Sequence, residues 1–219
     1  MSGLALGVVD ARPEPHAAVP TILLRIRVTE TQGRTVHALV LRAQIRIEPQ
    51  LRQYLPAEED RLYELFGRTS RWGDSLRPFL WTHVSTAVGG FRGSTELDLP
   101  IACTYDFEVA GAKYLHSLEG GEIPLVLLFS GTVFTRAADG AGPTAGVVAE
   151  PVPWDLEASF RLPVEVWRAT MDRYFPNSGW LRVERDTLDR LQRYKAAQAV
   201  PTWDQALELL FKQAGEEGS

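Results

Sequence analysis

The sequence predicts an α+β protein: an antiparallel β-sheet or sandwich with an inserted helix, followed by C-terminal helices. Three observations carry that expectation. Apolar and polar residues alternate in several runs before Pro163, as strands buried on one face require. Connections between the extended runs are short, so neighbouring strands pair antiparallel. From Pro163 onward the apolar spacing becomes that of helices. Residues 1–162 are therefore expected to form an antiparallel β-rich core with inserted helices. Residues 163–219 should be a helical C-terminal region packed on it as one folding unit.

The elements follow in order. In TILLRIRVTE, Ile22, Leu24, Ile26 and Val28 share one face and Arg25 and Arg27 the other. In VHALVLRAQIRIEP, Leu39, Leu41, Ala43, Ile45 and Ile47 line one face, and Arg42, Gln44, Arg46 and Glu48 the opposite one. The short polar link TQGR between these runs predicts a hairpin. LPAEEDRLYELFG reads as a helix: Pro56 comes early, Glu58, Glu59 and Asp60 fill the first turn, and Gly67 stops it. FLWTHVSTAV is a strand and GGFRGS a loop. TELDLPIACTYDFEV alternates again, with Leu97, Leu99, Ile101, Cys103, Tyr105, Phe107 and Val109 in phase. AGAKYLHSLEGG is a short helix ending at Gly120 and Gly121. GEIPLVLLFSGTVFTR is a long central strand, with Gly131 marking a bulge or a close backbone approach. RAADGAGPTAG forms a loop tip, and VVAEPVPWD and LEASFRL complete the sheet. Val164, Trp167, Met171, Tyr174 and Phe175 then make one helical stripe, ended by FPNSG, where Gly179 needs a positive φ or a close approach. WLRV is a short edge strand. RDTLDRLQRYKAAQ and WDQALELLFKQ are helices, the second capped by Thr202 with Gln205 three residues on.

Composition narrows the function classes. The chain has 219 residues, 45% of them hydrophobic and 23% charged, enough for a core without disulfides. Its one cysteine cannot form an internal bridge, which fits a reducing compartment. A net charge of −5 lacks the basic footprint that nucleic acid or anionic lipid attracts. The apolar run at the start ends at Asp10, too short for a signal peptide, and no run reaches a membrane span of roughly 18 residues. The expectation is a cytoplasmic protein with no nucleic-acid partner and no membrane span.

No chemical motif stands out. Leu128 occupies the first glycine position that a nucleophile elbow around Ser130 would require. The glycines at 89, 90 and 93 precede no Gly-Lys-Ser/Thr, so they make no phosphate loop. The histidines, at 16, 37, 83 and 116, have no metal-ligand spacing. Cys103 lies in phase with the apolar face and is expected to be a core residue. What remains is charge on a sheet face: Arg25, Arg27, Arg42 and Arg46, predicted on one hairpin face as a docking surface for an acidic protein. A second function class stays open, a small enzyme or metal carrier with a site built from His83, Cys103 and His116 with nearby acids such as Asp106.

The blocks LRPFLWTH, STELDLPIACTYDFEVAGAKYLHSL, GEIPLVLLFSGTVF, MDRYFPNSGWLRVERDTLDRLQRYK and PTWDQALELL resemble an uncharacterised bacterial family, a domain of unknown function. That family is encoded in actinobacterial-type clusters for high-affinity nickel–iron uptake hydrogenases. The resemblance covers roughly residues 20 to 212 and brings no catalytic residue and no cofactor. It implies a non-catalytic accessory protein that binds another protein, a hydrogenase subunit, during hydrogenase assembly or operation.

Overall fold

The computed structural model of the chain describes residues 3–104, 109–136, 146–176, 178 and 181–215. There are two compact units, Met1–Gly179 and Trp180–Ser219. The strands of the first unit are β1 (Leu4–Pro13), β2 (Thr21–Glu30), β3 (Thr35–Ile47), β4 (Phe79–Val88), β5 (Phe91–Arg92), β6 (Ser94–Ala102), β7 (Glu122–Arg136), β8 (Val147–Pro151) and β9 (Glu157–Pro163). Its helices are α1 (Pro56–Phe66), α2 (Trp72–Ser75), α3 (Ala110–Ser117) and α4 (Val164–Tyr174). The second unit holds α5 (Arg185–Ala197) and α6 (Trp203–Ala214). The α+β expectation holds: two antiparallel sheets with inserted helices, then C-terminal helices.

One sheet has the order β1-β2-β6. The other runs β4-β3-β7-β8, with β5 also on β3 and β9 also on β7. The alternation seen in the sequence is what packs them. Ile22, Leu24, Ile26 and Val28 of β2 enter the same core as Leu39, Leu41, Ala43, Ile45 and Ile47 of β3, with Ile123, Leu125 and Leu127 of β7. Burying each large aliphatic side chain stabilises by about 1.5–3 kcal/mol. The sheets therefore face one another across a shared core, and their other faces point outward.

The hairpin expected between β2 and β3 is not formed. Both edges of β2 are occupied, by β1 from Leu4↔Glu30 to Pro13↔Ile22 and by β6 from Thr21↔Ala102 to Thr29↔Ser94. The link at residues 31–34 instead carries the chain from one sheet to the other. Buried Glu30 fixes this crossing: its carboxylate accepts from the backbone N–H of Gln32 (3.0 Å) and Arg34 (2.8 Å) and from Arg34 Nε (3.1 Å). Arg34 Nη1 then reaches Glu150 of β8 at 2.8 Å, tying the crossing to the six-stranded sheet.

β1 carried no strand expectation. The register shifts between Val8 and Asp10, and this bulge breaks the alternation that would have announced it. GGFRGS, expected as a loop, contains the two-residue strand β5 on Val36 and Thr35 of β3. Gly131 is a close approach, not a bulge. Register continues through Leu41↔Gly131, and at its φ of +144° a Cβ would stand 2.0 Å from Val40 O. Leu181–Val183 form no strand, so the expected edge strand there is absent. Val109 is exposed, because β6 has ended at Ala102 and Val109 leads into α3. Tyr105–Glu108, residues 137–145 of the predicted loop tip, and Asn177 and Gly179 of the predicted helix stop lie outside the described residues.

Helices α1, α3 and α4 gather at the end of the sandwich marked by Ile47, Phe79 and Glu122. Tyr54, Phe66, Trp72, Phe79 and Tyr114 meet there edge to face or tilted, with centroids 5.1–6.4 Å apart. Trp167 and Met171 of the predicted α4 stripe are buried. Tyr174 Oη donates to Ala17 O at 2.5 Å, fastening α4 to the β1–β2 connection. In the second unit the Thr202 hydroxyl accepts from Gln205 N–H at 3.2 Å, the cap read from the sequence.

Candidate functional site

The four arginines expected on one face occupy two opposite faces, because β2 and β3 belong to different sheets. On the three-stranded sheet they are closed in ion pairs. Arg25 stands directly across from Asp98 and donates to it through Nε at 3.0 Å. Arg12 of β1 reaches the same carboxylate at 2.6 Å. Arg27 pairs with Glu96 at 2.7 Å. Hydrogen bonds from Arg12 and Arg25 pull the Asp98 carboxyl down to about 2. The Asp98 hydrogen bond in turn raises Arg25 above its ordinary value. This face carries its own counter-charges.

The outer face of the six-stranded sheet differs. Arg42 lies between Ser85 of β4 and Ser130 of β7, exposed and with no ion pair among the described residues. Arg46 has, among the described residues, only Glu48, at 4.0 Å. Val40 (51% exposed) and Leu80 (48%) share the face, along with half-buried Val126 and Leu128. Exposed His83, opposite Gln44, completes it. Cations with incomplete partners stand among apolar side chains, a composition enriched at protein interfaces.

His83 and Cys103 are not brought together. His83 projects outward, whereas Cys103 is 7% exposed on the core side. Burial pushes the Cys103 thiol up to about 12, and its Sγ makes a long contact with Ile101 O at 3.6 Å. His116 rests edge-on against Trp167, with centroids 4.5 Å apart, and burial lowers it to about 4. A cavity of about 160 Å³ beside Cys103 is walled by Trp81, Ala112, Leu115 and Trp167 among others. Asp106 lies outside the described residues, among which no group of three His, Cys, Asp or Glu is placed to hold a metal ion.

Sequence reasoning missed a buried charge cluster. Glu58, read only as a first-turn acid, has a side chain 0% exposed and accepts from Arg52 (2.5 Å), Leu55 N–H (3.0 Å) and Glu119 N–H (2.7 Å). Burial pushes its carboxyl up, but these three hydrogen bonds outweigh that and hold it below its ordinary value. Arg52, 7% exposed, also donates to Gly120 O and Glu122 O and lies 5.4 Å from the Tyr54 ring centroid. Glutamate at the third position after the N-cap was the available signal, since it is the place from which a side chain reaches back to the cap. The cluster joins α1 to the α3–β7 connection, and Arg52 Nε is its one buried donor left without a hydrogen-bond partner among the described residues.

Among the described residues no helix is long and apolar enough to cross a membrane. No curated protein matches the chain. Among solved structures it is similar to a Se-Met-labelled β-glucosidase from Kluyveromyces marxianus. The identity is 7%, the match covers 73% of this chain and 15% of that one, and the TM-score is 0.26. The same enzyme in complex with glucose gives 10%, 74%, 15% and 0.22. β-Glucosidase 3B from Thermotoga neapolitana in complex with α-D-glucose gives 14%, 74%, 17% and 0.23. The chain thus spans a small part of each of those proteins. A family model matches it from end to end, and over residues 1–219 the chain belongs to a family of unknown function, DUF6084.

Proposed function

We propose that this is a non-catalytic, cytoplasmic accessory protein that binds an acidic protein surface through the outer face of its six-stranded sheet, centred on Arg42 and Arg46. The supporting observation is the contrast between the two outer faces. Arg25 and Arg27 are already matched by Asp98 and Glu96, so a partner would have to displace existing ion pairs. Arg42 has no such partner among the described residues, and an incoming carboxylate would complete it. Val40 beside it and Leu80 across from Arg46 supply apolar area. The sequence blocks quoted above make a nickel–iron hydrogenase subunit the first partner to test.

The test is a binding titration of purified hydrogenase subunits at low and high salt. Arg42→Ser/Arg46→Ser should slow association by roughly tenfold at low salt, with the difference shrinking as salt rises. Arg25→Ser/Arg27→Ser should change it far less. Equal effects of the two double variants, or no binding to either subunit, would defeat this reading.

A further inference from the structure

We infer that the cavity beside Cys103 is a binding site for a small, neutral, single-ring aromatic molecule carrying a hydroxyl group, a phenol by chemical class. This inference concerns the space between β4, the end of β6, α3 and α4, and does not depend on the partner of the sheet face.

The walls come from separate elements. β4 supplies Trp81 and Thr82, the chain just past β6 supplies Cys103, α3 supplies Ala112 and Leu115, and α4 supplies Trp167. Successive residues of a regular strand point to opposite faces, so Trp81 and Thr82 would not ordinarily line one space. A bulge brings them together. Leu80 stands opposite Arg46 and Thr82 opposite Ile45, which leaves Trp81 as an extra residue with no partner on β3. Ile45 is fully buried, so Thr82 faces the core side with it. The Trp81 ring is seated against α3, where a Cβ at Gly111 would stand 3.2 Å from its Cδ1. Next along α3, buried Ala112 is small where a larger side chain would fill the space. Exposed Ala102 and Val109 mark the open side.

Size and chemistry select the occupant. The cavity holds about 160 Å³, close to the roughly 150 Å³ of an apolar protein cavity that takes benzene. Two indole rings and Leu115 offer faces and edges to an aromatic ring. Among the described residues no Lys, Arg, His, Asp or Glu lines the cavity, and burial keeps the Cys103 thiol protonated. A charged ligand would lose its hydration and gain no counter-charge, whereas a neutral one loses little. Half-buried Thr82 brings a hydroxyl that makes no hydrogen bond to the described residues. A ligand hydroxyl completes it, and a plain hydrocarbon leaves it unmatched. Water in this space finds few polar partners, so a ring displaces it readily.

Titration of 4-fluorophenol into the full chain at pH 7, followed by fluorine NMR, reads binding directly. The resonance should shift and broaden saturably, with a Kd of roughly millimolar or tighter for so few atoms. Phenol should displace the probe, and benzoate, similar in size but charged, should not. Ala112→Leu should weaken binding by about tenfold or more by filling the space. Thr82→Val, which keeps the shape, should weaken 4-fluorophenol by roughly threefold to tenfold and leave fluorobenzene binding unchanged. Circular dichroism confirms that each variant is folded, and Thr82→Val decides alone if Ala112→Leu is not. A wild type with no saturable binding up to the solubility of the probe overturns the proposal. So does a folded variant of either kind that binds 4-fluorophenol as wild type does, or benzoate that competes as well as phenol.

Discussion

Glu58 and Asp98 are both carboxylates gripped by arginine, one inside the molecule and one on its skin. The Glu58 side chain is fully buried and Arg52 nearly so, and both are surrounded by further hydrogen bonds. Asp98 keeps 29% of its side chain in solvent and is shared by two arginines that are more exposed still. The geometries are similar and the consequences are not. Removing one member of a buried pair strands the other charge away from water, whereas removing one member of a surface pair lets solvent take its place.

Glu58→Gln should therefore cost the most, about 3–5 kcal/mol of unfolding free energy by urea titration, since Arg52 is left charged and buried. An Arg52→Met/Glu58→Leu double variant should recover much of that loss. A Glu58→Gln loss below about 1 kcal/mol would erase the distinction between the two sites.

His116 extends the comparison to burial that keeps a group neutral. Its folded value, about 4, lies below the ordinary 6.5, so below pH 6.5 the unfolded chain binds the proton more readily. Stability should fall as pH drops from about 6.5 toward about 4, by roughly 1–2 kcal/mol after allowance for partial solvent access. His116→Phe, which keeps a ring against Trp167, should flatten that part of the profile; an unchanged profile would clear His116 of the role.

Cys103 is a smaller case of neutral burial. Cys103→Ala should cost on the order of 1 kcal/mol through lost packing and leave partner binding intact. The native thiol should resist alkylation at pH 8, because burial holds it up at about 12. Rapid labelling of the folded protein would contradict that.

Asp98→Asn should cost no more than about 1 kcal/mol at neutral pH, given its exposure. The Asp98 carboxyl titrates lower in the folded chain than in the unfolded one, so its contribution is complete above about pH 4 and is lost as pH falls through about 2. Wild type and variant should thus converge in strong acid, in a window separate from that of His116. Arg42→Ser/Arg46→Ser should leave the unfolding midpoint where it is, since among the described residues neither guanidinium has a close ion pair to lose.

The strands were legible in the sequence wherever one face is buried, because alternation records burial directly. β2, β3, the first part of β6 and β9 could be read that way, and β7 by the length of its unbroken apolar run. β1 could not, because its bulge shifts the parity, and β5 is too short to alternate. Partnership between strands was not legible either. TQGR looks like a hairpin link, yet what decides its path is Glu30, whose carboxylate organises the turn, and the occupation of both edges of β2 by β1 and β6. Ile22 and Leu39 would show the same pattern in one sheet or in two. The arginine site inherited this error: each arginine is on an outward face as expected, but the faces belong to opposite sheets. Which arginines are neutralised depends on Asp98 and Glu96, some 70 positions away from Arg25 and Arg27, a separation that no local pattern encodes.

The crossing after Glu30 also sets the order in which the sandwich can be completed during synthesis. β1 and β2 leave the ribosome as neighbours and can pair at once. β3 finds β4 soon afterwards, but its other edge belongs to β7, which begins only at Glu122. At about 5–20 residues per second, the stretch between Ile47 and Glu122 takes several seconds to emerge. For that interval the edge of β3 that will receive β7 is open and Leu39, Leu41 and Ile45 are incompletely covered, a nascent intermediate of the kind that chaperones hold.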